Sequence, residues 1–114
     1  MDKSDPSKRP TIARIWRGRT TTAKADDYER YIHDHGIKPL EEKALAVQLF
    51  REDRAGESEF ITMSYWEDIQ AMSRFAGVDP TRIHHLERDA EFLIELPREV
   101  QILRIVSSHA VFRA

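Results

Sequence analysis

Two adjacent histidines, His84 and His85, are the proton carriers this chain offers first. An imidazole changes charge near neutral pH, so either ring suits a general base. On a helix the two point about 100° apart, and no carboxylate stands at ligand spacing, so a shared metal ion is poorly served. Surface or capping roles are the plain alternative. Arg14 and Trp16 share one face of a strand. If that face looks into a cavity, Arg14 can hold a phenolate or carboxylate. If it looks into a subunit interface, Arg14 is an ion-pair partner. Arg82 is a second candidate cation. Trp66 closes a strand with a large apolar surface and one N–H donor, which fits either core packing or a pocket wall. Tyr28, Tyr31 and Phe75 are aromatic candidates for the same space, with core packing as their alternative. His33 and His35 lie two apart on a helix and do not chelate; His35 sits near the helix C-terminus, where a protonated ring is favoured.

Other chemistries lack their residues. The 114-residue chain holds no cysteine, so disulfides, thiolate metal sites and a Cys nucleophile are excluded. It has no Gly-rich phosphate loop, Ser elbow or metal-spaced carboxylate set, which leaves hydrolase, kinase and nucleotide-dependent readings without support. The 18 basic and 20 acidic residues give a net charge of −2, and so no field for nucleic acid or an anionic membrane. Apolar runs are far too short for a membrane span, and the charged start does not read as a secretory signal. A cytoplasmic protein is the default expectation.

The elements that must position these residues follow from periodicity. Residues 1–10, polar with two prolines, read as a mobile tail ahead of one domain over 11–114. Thr11 to Arg19 alternates as a strand. Ala23 to His35 reads as a helix capped by Thr22, with Tyr28, Tyr31 and Ile32 on its apolar stripe and Gly36 and Pro39 ending it. Ala44 to Glu52 and Ser58 to Trp66 are strands joined by a hairpin turn at Asp53–Glu57, where Gly56 is available for a positive φ. Asp68 to Ala76 is a second helix, with Ile69, Met72, Phe75 and Ala76 as its buried stripe and Gly77 at its end. Asp79–Pro80 starts a short turn carrying Arg82, His84 and His85. Asp89 to Glu95 contains Phe92 and Leu93. Val100 to His109 is a last strand, apolar on both faces.

The order strand, helix, strand, strand, helix, strand is an α+β, ferredoxin-like βαββαβ unit with an antiparallel sheet. Two helices cover one sheet face. The other face, expected to carry Trp16 and Phe50 or Leu49, is left apolar, which favours a homodimer.

Three stretches carry a family resemblance: the first strand Ile12-Ala-Arg-Ile-Trp-Arg-Gly18, the segment Ser64-Tyr-Trp-Glu-Asp-Ile-Gln-Ala-Met72 with Phe75-Ala-Gly77, and the closing strand. Together they resemble the antibiotic biosynthesis monooxygenase family. The strand-end Trp before the second helix is the most distinctive piece. The resemblance implies a dimeric α+β barrel in which each protomer keeps a pocket between its sheet and its helices. It also implies a cofactor-independent monooxygenase acting on a small aromatic or polyketide-like molecule. Trp66, Arg14, Tyr28, Phe75 and Arg82 would bind the substrate and His84 or His85 would act as base, with no metal and no cofactor. A non-catalytic small-ligand or stress-response module of the same fold is the alternative. Haem binding or degradation is a further one. Haem-degrading relatives use an Asn in the first strand; Arg14, Trp16 and Arg17 stand here instead.

Overall fold

A computed structural model describes residues 8–77, 81, 83 and 85–109. Four strands form one antiparallel sheet in the order β2-β3-β1-β4: β1 (Ile12–Thr21), β2 (Ala46–Arg54), β3 (Glu57–Trp66) and β4 (Gln101–Arg104). The helical elements are α1 (Thr22–Ile32), a π-helical segment (His33–Ile37), α2 (Lys38–Glu41), α3 (Ile69–Ala76) and α4 (Asp89–Phe92). This is the ferredoxin-like α+β fold expected from the period pattern. Of the expected tail, only residues 8–10 are described, and they form no regular structure.

The central register sets the faces. β1 pairs with β3 from Ile12↔Trp66 to Thr21↔Glu57, which puts Arg14, Trp16 and Gly18 in one row with Ser64, Thr62 and Phe60. The helices pack on that face. Ala25, Tyr28 and Ile32 of α1 join Phe60 and Leu93 in one core cluster. Leu40, Ala44, Met72 and Ala76 join Trp66 in a second. Alternation along the strands sends Ala13, Ile15, Ile61, Met63 and Tyr65 to the opposite face. Trp16 therefore lies under the helices and not on the open face, a difference from the sequence reading. The strand is alternating and half-apolar on each side, so its pattern alone does not say which side the helices take.

Local signals mostly match. Asp68 caps α3, its Oδ1 accepting from the Ala71 N–H at 2.8 Å, and Gly77 ends it at φ +94°. Gly56 turns the β2–β3 hairpin at φ +84°, although β2 starts two residues later than expected and β3 one residue earlier.

Two elements differ more. The first helix has Thr21, not Thr22, at its N-cap position, with no side-chain cap hydrogen bond, and it does not stop at Gly36: it widens into the π-helical turn and runs on into α2. Pro39 falls in the first turn of α2, where a missing N–H is tolerated. Gly36 keeps a helical backbone. A Cβ there would stand 3.3 Å from Ile32 Cγ1 and 3.4 Å from Leu86 Cδ1. The last strand is four residues long, shorter than the Val100–His109 span expected. Beyond it Ile105 N–H still bonds Thr11 O at 2.8 Å, but Val106 is 84% exposed.

Candidate active site

Between the two core clusters the helix-facing side of the sheet is not filled. A cavity of about 160 Å³ remains there. Its floor is β1 and β3, through Arg14, Trp16 and Thr62; its walls come from α1, the π-helical segment and α3, through Tyr28, His35 and Phe75. The polar corner is closed by Asp89 at the start of α4, with Leu86 just before it.

Each polar group is held by its element. Gly18, two residues along β1 from Trp16, leaves room for the indole to lie along the strand. A Cβ at Gly18 would stand 2.8 Å from Trp16 Cζ2. Arg14 is half-buried on the same row, and loss of water lowers its pKa from the ordinary arginine value. Guanidinium groups remain charged through such shifts.

Tyr28 and Asp89 are both buried. The Tyr28 hydroxyl donates to Asp89 Oδ1 at 3.0 Å, and the Leu86 N–H donates to Asp89 Oδ2 at 2.9 Å. Burial is the largest influence on both and pushes both pKa values up. For Asp89 the two donors and the His85 charge oppose that push without cancelling it. Nearby, Tyr31 stacks on Phe92 at 5.4 Å and its hydroxyl accepts from the Arg88 N–H at 2.8 Å, which anchors the chain entering α4.

The sequence-derived candidates divide by place. Arg14, Tyr28 and Phe75 meet around the cavity, and His35 joins them. Trp66 sits next door, 1% exposed in the second core cluster. Its indole N–H donates to Ser64 Oγ at 2.9 Å, and its ring centre is 5.5 Å from that of Phe75. It supports the wall through Phe75. His85 is exposed. His84, Arg82 and the Asp79–Pro80 turn lie outside the described residues. Asp89 is the member of the site that sequence reasoning misses. In the sequence it reads as an acid at a helix start, and nothing local reveals a tyrosine partner 61 residues away.

Among the described residues no group of three or more His, Asp or Glu side chains could hold a metal ion. Among them, too, no helix is long and apolar enough to cross a membrane.

No protein-family model matches the sequence, and no curated protein sequence matches it. Solved structures do match. A candidate antibiotic biosynthesis monooxygenase from Bacillus cereus superposes with a TM-score of 0.64 at 13% identity, covering 92% of this chain and all of that one. The resemblance read from the strand-end Trp and its flanking elements thus holds at the level of the backbone: this chain has the fold of an antibiotic biosynthesis monooxygenase-like protein.

Proposed function

We propose that the cavity is the active site of a cofactor-independent monooxygenase acting on a small aromatic molecule. The observation that carries this reading is a half-buried cation, Arg14, on the floor of one largely apolar, aromatic-walled cavity whose wall is backed by the buried Tyr28–Asp89 pair. Oxygen chemistry without a cofactor needs a substrate that forms a stabilised carbanion or phenolate. Arg14 steadies the resulting anion, and the apolar wall excludes water from it. The balance needs no reductant: a phenol and O₂ give a quinone and water, with the phenol supplying all four electrons. His84 and Arg82 remain candidates for base and second cation.

The fold places an open sheet face opposite the helices, and Phe50 and Leu103 there are each 43% exposed. A second copy of this chain covering that face would bury it as a homodimer. Light scattering at micromolar concentration tests this, and the mass of a single chain would reject it.

Oxygen uptake separates this reading from a binding module of the same fold. A monooxygenase consumes O₂ when given its phenol, and Arg14→Gln lowers that rate at least about tenfold. Ligand recovered unchanged in air from every phenol that binds would leave a binding protein.

A further inference from the structure

Of the described histidines, only His35 lines the cavity. The π-helical turn sets it there. The Lys38 N–H bonds His33 O, and Ile32 and Ile37 are both buried and both line the cavity. On an α-helix, residues with that spacing point about 140° apart. The wider turn keeps both isoleucines inward, and His35 between them stays exposed at the cavity's edge. Such turns are rare and gather at functional sites.

The ring is placed, and its nitrogens are unused. It lies against Tyr31 with ring centres 4.8 Å apart, and Tyr31 is fixed in turn by the Phe92 stack and the Arg88 N–H. Neither imidazole nitrogen has a hydrogen-bond partner among the described residues. His35 and Leu86 also line a second hollow, together with Tyr31, Glu87 and Arg88. One exposed ring thus borders both the cavity and an outer hollow. We infer that His35 is the general base of the site: it takes a proton from a ligand in the cavity and releases it to water in the outer hollow. This deepens the monooxygenase reading, on which it rests for the site, by giving His35 the role that the sequence reading gave to His84 or His85.

The transfer needs no co-reactant. The ligand's bond to an acidic hydrogen breaks and its electron pair stays on the ligand. The proton bonds to a free His35 nitrogen, and the imidazolium passes it to water. No electron changes hands. The groups facing the ring are Tyr31 on α1, Glu87 and Arg88 on the chain entering α4, and, around the cavity, Arg14 on β1, Tyr28 on α1 and Asp89 on α4. Tyr28 and Asp89 are buried and bonded to each other, and Glu87 lines the outer hollow but not the cavity. The two arginines accept no proton at neutral pH.

The test probe is nitrobenzisoxazole, a flat apolar molecule that a base opens without oxygen. Loss of its acidic C–H proton makes a nitrile as the N–O bond breaks, and the electron pair ends on a coloured phenolate. The parent protein should open the probe faster than free imidazole at equal concentration, with a rate that rises as pH passes through the imidazole range. His35→Ala and His35→Gln should each lower that rate at least about tenfold, and added imidazole should restore it in His35→Ala. The control His33→Gln alters a neighbouring ring that pairs with Asp34 and should leave the rate unchanged. If His35→Ala fails to fold by circular dichroism, His35→Gln decides. A parent no faster than free imidazole, a rate that survives in the folded His35 variants, or a folded His35→Ala that imidazole does not rescue overturns the assignment. Oxygen uptake with a phenol that His35→Gln leaves unchanged overturns it too. Opening that depends on His35, with no oxygen uptake on any phenol, supports this inference and rejects the monooxygenase reading alone.

Discussion

Tyr28→Phe isolates one hydrogen bond in a place where its worth depends on pH. The hydroxyl donates to a carboxylate 3% exposed, at 3.0 Å, and the tyrosine ring is otherwise kept. Deleting the hydroxyl removes one of the two donors to Asp89 and leaves the Leu86 N–H. A hydrogen bond to a charged group contributes about 1.5–3 kcal/mol. For a domain of this length each kcal/mol moves Tm by roughly 4 °C, so Tm at pH 7 should fall by about 6–12 °C. Burial holds the Asp89 carboxyl above its ordinary value, so the folded state binds its proton more tightly than the unfolded chain does. The stability from that proton is present at low pH and is lost as pH rises through the folded-state value. The Tyr28 hydroxyl favours the ionised carboxylate, so deleting it raises the folded value further. The variant's deficit is therefore full at neutral pH and shrinks on acidification toward about pH 4, where Asp89 is increasingly protonated. Thermal melts of parent and variant at both pH values, followed by circular dichroism, measure this. In an Asp89→Asn background the Tyr28→Phe deficit should lose its pH dependence, because the side-chain amide that replaces the carboxyl does not titrate. An equal deficit at both pH values in the parent background would refute the argument that Tyr28 supports a buried charge.

Other substitutions test the packing around the cavity. Thr20 Oγ1 is buried and finds no hydrogen-bond partner among the described residues; Thr20→Val, which keeps the shape, should raise stability by about 1 kcal/mol in urea denaturation. Gly18→Ala drives a methyl into the Trp16 ring and should destabilise by about 1–3 kcal/mol. Because Trp16 lines the cavity, the same variant should also change its fluorescence. Trp66→Phe leaves the Ser64 hydroxyl without its indole donor in a buried site and should cost about 1–3 kcal/mol by the same melts.

Periodicity made the order of elements legible. β1 and β3 alternate, the Ile69–Ala76 stripe repeats every three to four residues, and Asp68, Gly56 and Gly77 carry their turn and cap chemistry wherever the chain places them. Such signals act within a few residues, so no tertiary context is needed to read them. Which of Leu49 and Phe50 would face outward was not legible from alternation; in the structure Phe50 and Leu103 lie on the open face, each 43% exposed. Arg14, Tyr28 and Phe75 were legible as candidates by residue type, though not as neighbours. The end of the first helix was not legible, because Gly36 looks like a stop in isolation. In the structure it keeps a helical backbone, closely neighboured by Ile32 and Leu86.

What only the tertiary structure decided is which side of β1 faces the helices and which distant groups meet there. An alternating strand presents two similar faces, and packing alone turned Arg14 and Trp16 inward. Asp89 acquired its character the same way. Its chemistry comes from burial and from a hydroxyl 61 residues distant, and a sequence pattern records neither solvent exclusion nor contact across the fold.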